Sequence, residues 1–375
     1  MSRFKDVMTF RRICVLVLLF LLTAALFPSE KLRRATPKIR KAYLRQAKIW
    51  HWTDIPKTNF LAGIKSHSEV VCHYIEPKHV SRGFSPKFEC KLLGTGEVLR
   101  VKYDTREIFG ELAGSHLLLA LGFYADENYP ARIRCLGCPH TNPSQPSADE
   151  PREERTIDNA MIERQFPGEE IEEFDDQGWN WNELKDMNHQ LGGATKAEVE
   201  ALKLIAVFIQ HMDSKNQQQR LGCYEEDITR MGNLEVCRQP ILMIQDLGLT
   251  FGLSSYTPES DSTMYLKGWQ SQKIWNEQKE ADARLAGHAT CFGNLTSMQS
   301  EGLKDPEISE AGRVFLANLL NQLSHRQIRD LFVLAHANKT GETIFIQDRQ
   351  VPVTIEDWVS AFEEKRRQIN EHHCQ

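Results

Sequence analysis

The chain has 375 residues, 41% hydrophobic and 26% charged, with a formal net charge of −5. That length accommodates a two-lobed domain, or two ordinary domains, behind a short leader, and the hydrophobic fraction supports a real core. The mild negative charge excludes the strongly basic class that binds long polyanions, so no nucleic-acid partner is expected.

The leader comes first. Arg11 and Arg12 precede an apolar run over residues 13–27, and Lys31, Arg33 and Arg34 follow it. The run is short for a relaxed membrane span, which takes roughly 20 residues, but it fits the apolar region of a secretory signal. Thr23, Ala24 and Ala25 offer small residues for cleavage. Residues 1–34 therefore read as a signal peptide or an uncleaved signal anchor, and basic residues on both flanks leave the choice open. Either way the body is exported, periplasmic or otherwise extracytoplasmic, and the membrane is a partner through this segment. Cys14 lies in the leader, leaving Cys72, Cys90, Cys135, Cys138, Cys223, Cys237, Cys291 and Cys374 in the exported part. An even count there permits disulfides. Cys223 and Cys237 bracket a polar excursion with Gly232-Asn233 and read as a hairpin staple, whereas Cys135-Leu-Gly-Cys138 also suits a redox motif or, less well, half a zinc site.

Residues 35–79 are read as a basic linker and a helix leading onto the domain. A unit over residues 80–178 follows. Lys87-Phe-Glu-Cys-Lys-Leu-Leu93, the turn Gly94-Thr-Gly96 and the alternating Glu97-Val-Leu-Arg-Val-Lys-Tyr103 form a hairpin pattern. A helix over residues 106–121 carries Ile108, Leu112, Ser115 and Leu119 at helical spacing, closed by Gly122. Short strands are expected over 131–134 and 160–163, with a mobile Pro- and Ser-rich loop over 140–155 between them. The acidic run 169–176 reads as a solvated face. Residues 179–375 look mostly helical. Thr195 with Glu198 makes a capping box for a helix to Gln210, the apolar strand Ile241-Leu-Met-Ile244 follows, and helices over 310–323, 326–337 and 355–370 end the chain.

Phosphoryl transfer from ATP needs a cation on the phosphates, acidic ligands for Mg²⁺ and a group that orients the acceptor hydroxyl. Lys102 lies in a strand after a glycine turn, and Glu107 and Glu111 share one face of the next helix, so either acid can hold its ammonium. Asp213 stands in the polar loop His211-Met-Asp-Ser-Lys-Asn-Gln-Gln-Gln219, just past a helix C-terminus, where the helix dipole gives a carboxylate no support. It can serve as base or positioner, with Lys215 neutralising charge on the transferred group. Asp246 ends an apolar strand before Leu247-Gly248, a suitable place for a Mg²⁺ ligand.

The order of these parts resembles that of the atypical protein-kinase-like superfamily. Lys102, His211-Met-Asp213 and Asp246-Leu-Gly248 look like its strand lysine, catalytic-loop aspartate and metal-binding aspartate. Phe84-Ser-Pro-Lys87, after Gly83, resembles the short phosphate loop of HipA-type, phosphatidylinositol-kinase-like and secretory-pathway kinases. The stretches Gly178-Trp-Asn-Trp181, 211–220 and 308–312 also resemble an exported bacterial family. The resemblance implies an α+β, two-lobed kinase-like fold, with a small β-rich N-lobe and a larger helical C-lobe. It implies ATP held by Gly83, Ser85, Lys87, Lys102 and Glu111, and Mg²⁺ or Mn²⁺ held by Asp246 and Gln218. Gln218 stands where kinases usually have Asn, and no GxGxxG loop is present. The expected activity is ATP-dependent phosphotransfer to a protein, lipid, glycan or small-molecule acceptor. The rivals are an exported pseudokinase or nucleotide-binding scaffold, a kinase-fold enzyme that moves AMP or another group, and a disulfide-stabilised envelope protein.

Overall fold

The computed structural model describes residues 31–62, 69–77, 85–147, 149–164, 166–254, 262–288, 290–296, 301–346 and 349–374. The apolar segment 13–27 and its cleavage residues, together with Gly83 and Phe84, lie outside the described residues. Within them no helix is long and apolar enough to cross a membrane.

The fold is mixed α/β. Five strands close into a barrel in the order β1 (Glu69–Ile75), β2 (Lys87–Leu92), β3 (Val98–Tyr103), β6 (Arg152–Glu163) and β5 (Asn128–Pro139). All neighbours are antiparallel except β1 and β5, whose parallel pairing shuts the barrel. The expected β2–β3 hairpin is present. Residues 35–79, by contrast, are more than a linker. They contain helix α1 (Pro37–Gln46) and the closing strand β1. The Ala131 and Ala160 strands are each twelve residues long, so the loop expected over 140–155 shrinks. Residues 152–155 belong to β6, and the remainder is tied down where Tyr103 Oη donates to Asn142 Oδ1 and Tyr74 Oη donates to the Pro143 carbonyl.

Strand alternation directs Leu99, Val101 and Tyr103 of β3 into the barrel, where they pack with Val70, Phe88, Ile133 and Ile162. Lys102 is thereby on the outer face, against α2 (Glu107–Ala120). A second and larger core surrounds α2, α3 (Lys196–Phe208), α6 (Glu310–Leu320), α7 (His325–Leu334) and α8 (Ile355–Glu371); α4 (Leu266–Ser271) adds the buried Leu266 and Trp269, and α5 (Glu277–Leu285) is mostly exposed. The Thr195–Glu198 capping box is made as expected. The part beyond residue 179 is less purely helical than its sequence suggests. A four-stranded sheet runs β4 (Tyr124–Ala125), β11 (Ile241–Ile244), β8 (Gln219–Tyr224) and β7 (Gly168–Glu170), joined by the hairpins β9–β10 (Ile228–Met231, Leu234–Cys237), β12–β13 (Cys291–Phe292, Glu307–Ile308) and β14–β15 (Thr343–Ile346, Arg349–Pro352).

All eight cysteines beyond the leader are paired: Cys72–Cys90, Cys135–Cys138, Cys223–Cys237 and Cys291–Cys374. The expected Cys223–Cys237 staple is among them, and the Cys135–Cys138 pair commits that motif to a disulfide. Such pairing belongs to an oxidising compartment.

Candidate functional site

Lys102 is the centre of the site. It is 4% exposed, and its Nζ donates to Glu111 Oε2 at 2.6 Å and to Asp246 Oδ1 at 3.1 Å. Glu111, not Glu107, is thus the helix acid that holds the ammonium. Burial works against the ammonium, but Asp246 and Glu111 outweigh it and hold Lys102 well above its ordinary value. Burial would also raise Asp246, yet Lys102, its hydrogen bond and that from Gln218 keep this carboxyl far below the usual range. Glu111 is pushed up to about 8, by burial against the pull of Lys102.

The turn after β11 is built to present Asp246. Its φ of 51° is left-handed, a region that short polar side chains enter more readily than others. The next residues rest on α2 at two glycines. A Cβ on Gly110 would stand 2.5 Å from the Gly248 carbonyl oxygen, and one on Gly114 would stand 3.0 Å from Leu247 Cβ. Thr263 Oγ1 donates to the Gly248 carbonyl and Thr250 Oγ1 to the Leu247 carbonyl, fixing the turn from its other side. Backbone bonds from Met212 N to Leu249 O and from Phe251 N to Ile209 O then fasten it to the loop carrying Asp213.

Gln218 joins the two aspartates. Its Nε2 donates to Asp213 Oδ2 at 2.5 Å and to Asp246 Oδ2 at 3.0 Å. Lys215 Nζ lies 3.0 Å from Asp213 Oδ2, with much of its side chain exposed. The expectation was that Gln218 offers its oxygen to a metal. Here the nitrogen faces the carboxylates, while Gln218 Oε1 and Asp213 Oδ1 are buried without a hydrogen-bond partner among the described residues. Two carboxylates and an amide oxygen are hard donors of the kind Mg²⁺ and Mn²⁺ take, so the residues present fit such an ion.

Lys87 stands directly across the β2–β3 pair from Lys102, on the same outer face. Burial and the neighbouring Lys102 lower its ammonium. Its backbone N–H donates to Ser144 Oγ at 2.5 Å, and Ser85 is buried just before it. The two lysines thus form a cationic pair beside the aspartates, whereas Gly83 falls outside the described residues.

The Gly178-Trp-Asn-Trp181 stretch supports the site from behind. Gly178 has φ +60°, and a Cβ there would stand 1.8 Å from the Asn216 carbonyl oxygen and 2.4 Å from that of Gln219. Asn180 Nδ2 donates to Asn216 Oδ1, Trp179 Nε1 to the Met243 carbonyl, and Arg40 of α1 to the Gly178 carbonyl. Trp181 packs near the ring of His211, which is fully buried and lowered to about 4 by that burial. The Ile308 to Gly312 stretch is structural. Ser309 caps α6 and donates to Glu200, against which Gly312 packs.

Two residues within stretches the sequence singled out have surroundings that it did not show. Glu107, one turn before Glu111, is raised to about 7 by burial and by Asp246. Arg220, which closes the 211–220 stretch, pairs with Glu170 at 2.8 Å and with Asp126 at 3.5 Å. The run of two glycines four apart, Gly110 and Gly114, was the available signal that another backbone crosses α2 beside Glu107.

No protein-family model matches the chain, and no curated protein matches it. Among solved structures it is similar to the Helicobacter pylori proinflammatory kinase CtkA, with 12% identity over 81% of this chain and 94% of that one and a TM-score of 0.39. It is also similar to HipA of Shewanella oneidensis, solved with HipB and operator DNA, with 11% identity over 79% of this chain and 66% of that one and a TM-score of 0.29.

Proposed function

We infer that the chain is an ATP-dependent phosphotransferase of two-lobed, atypical kinase type, exported behind residues 1–34 and acting outside the cytoplasm. One observation carries this reading. A buried lysine is held between a helix glutamate and Asp246, and Gln218 links Asp246 to Asp213. A stabilising ion pair needs no second acid and no bridge to a third.

In this reading Lys102 and Lys87 face the phosphates, and Ser85 lines their approach. Asp246 and Gln218 would hold Mg²⁺ or Mn²⁺, which when bound neutralises phosphate charge. Asp213 accepts the proton of an acceptor hydroxyl whose oxygen bonds to the γ-phosphorus, as the bond to the β–γ bridging oxygen breaks and ADP departs. Lys215, paired with Asp213 and partly exposed, meets the negative charge of the transferred group. The acceptor is a protein, lipid, glycan or small molecule carrying a hydroxyl. Incubation with γ-labelled ATP and Mg²⁺ or Mn²⁺, followed by mass spectrometry of every product, should reveal a labelled acceptor or ADP. Wild type and Asp246→Ala giving the same products would sink the assignment.

One observation favours a second reading, a nucleotide-binding scaffold without turnover. The Gln218 amide nitrogen occupies the gap between the two aspartates. ATP binding without any product under either metal would support it. Labelled pyrophosphate in place of ADP, with AMP carried on the acceptor, would point to transfer of the nucleotidyl group.

A further inference from the structure

Glu107 makes no hydrogen bond to Lys102, yet its side chain packs close by, against Gly248. It opens α2, is 8% exposed, and lies along the turn that follows Asp246. A methyl group on Gly248 would stand 3.0 Å from Glu107 Cβ and 3.5 Å from its carboxyl carbon. The charges acting on it are those of Asp246, Lys102, Asp213 and Lys87. Among the described residues its carboxyl oxygens take part in no hydrogen bond or ion pair, and Lys102 is satisfied by Glu111 and Asp246.

Crowded acids alone do not make an ion site. The independent observation is Gln218, which is 5% exposed with its Oε1 unpartnered, while its nitrogen sits between Asp213 and Asp246. Nitrogen and oxygen of a side-chain amide are nearly the same size. Rotation about the last bond therefore presents the oxygen to the same gap without repacking. The gap then has an amide oxygen and carboxylates on its walls, all hard donors.

We propose that Glu107 is a second carboxylate of the divalent-cation site, acting with Asp246 and the Gln218 amide oxygen, so that the ion binds before any nucleotide. Mg²⁺ at nucleotide sites usually takes one or two carboxylates and completes its shell with phosphate oxygens and water. Two carboxylates with an amide oxygen give the ion three protein donors and lessen its dependence on phosphate. The N-terminal position on α2 suits this, since the helix dipole favours the ionised form of Glu107. The proposal rests on the phosphotransferase reading of the site but is tested apart from turnover.

The test is titration of the full chain with Mn²⁺ alone, following the paramagnetic signal of free Mn²⁺, and then again with ATP present. Wild type should bind Mn²⁺ without nucleotide. Glu107→Gln should bind at least tenfold more weakly while its metal-free melting temperature stays within about 3 °C of wild type. Glu107→Asp, which keeps the charge but withdraws it by one methylene, should fall between them, and it carries the test if the Gln variant does not fold. Equal Mn²⁺ affinity in wild type and Glu107→Gln would overturn the proposal, and so would Mn²⁺ binding by wild type only when ATP is present. Both results leave the phosphotransferase reading standing. If wild type takes up no Mn²⁺ with or without ATP, that reading falls as well.

Discussion

Gly178→Ala is a one-carbon change remote from any reacting atom that should disable the site. Gly178 sits at φ +60°, where an L-residue costs about 1–2 kcal/mol. The added carbon would also stand 1.8 Å from the Asn216 carbonyl oxygen, about 1.5 Å inside ordinary carbon–oxygen contact. That overlap is with backbone, so the turn Asn216–Gln218 must move rather than a side chain swing away. Moving it breaks the bond from Asn180 Nδ2 to Asn216 Oδ1 at 2.9 Å and disturbs that from Gln218 N to Lys215 O at 3.0 Å, at about 1 kcal/mol each. The sum is about 3–4 kcal/mol, a large share of a stability that is typically 5–15 kcal/mol. Urea denaturation reads this directly. Gly192→Ala supplies the control, because Gly192 has φ +94° but nothing within 4 Å of an added Cβ. It should show the backbone penalty alone, about 1 kcal/mol. Displacement of Gln218 should also lower the stabilisation that ATP with Mn²⁺ confers on Gly178→Ala relative to wild type. If the two alanine variants melt alike, the collision does not matter and the role given to the Gly-Trp-Asn-Trp stretch is wrong.

Three further perturbations test other parts of the structure. Asp213→Asn keeps the shape of the loop but removes the proton acceptor, so turnover should fall by about 10²–10⁴ while ATP·Mn²⁺ binding, read by thermal shift, persists; undiminished turnover would show that Asp213 is not the catalytic aspartate. Replacing Cys291 and Cys374 by serine opens a loop of 83 residues and should cost about 4.5 kcal/mol by chain entropy, the most of the four disulfides; a larger loss on opening Cys223–Cys237, with a loop of 14, would contradict that ordering. Lys365 is buried over Trp269, with Nζ donating to the Gln272 carbonyl, and burial lowers its ammonium to about 7. The unfolded chain therefore binds the extra proton between about pH 7 and 10.5, so the burden on stability is full below pH 7 and fades as pH rises through that window. Lys365→Met should then be more stable than wild type at pH 7, by about 2–4 kcal/mol, with the advantage shrinking toward pH 10; an advantage independent of pH would refute this account.

What the sequence made legible was local or sequential. The Thr195–Glu198 capping box and amphipathic periodicity marked α3, and α6, α7 and α8 were expected as helices, because such signals are written within a few residues of each other. Barrel closure was not legible. It depends on β1 running parallel to β5 some sixty residues away, and nothing in Glu69–Ile75 names its partner. The long strands β5 and β6 were read as short ones with a loop between them, because Pro139, Pro143 and Pro146 mark a turn but not how far the flanking strands reach. Eight cysteines allow 105 pairings, and only the pair bracketing a hairpin could be singled out before the other strands were placed.

At the site, the order of Lys102, the helix acids, Asp213 and Asp246 was legible, since each stands at a recognisable break between elements. The choice between Glu107 and Glu111 was not. Both lie on one face of α2, and a helical wheel cannot say at what height along that face Lys102 arrives. The height is set by two glycines. Gly110 and Gly114 let the Leu247–Gly248 backbone press onto α2, which brings Asp246 level with Glu111 and lays Gly248 against Glu107. Lys102, fixed by the strand alternation that buries Val101 and Tyr103 inside the barrel, then meets Glu111 and Asp246 together. The same contact gives the two glutamates different surroundings, one paired with an ammonium and the other facing carboxylates. Any substitution that lifts the turn off α2, such as Gly110→Ala with its 2.5 Å approach to the Gly248 carbonyl, should therefore disturb the lysine pairing and the proposed cation site at once.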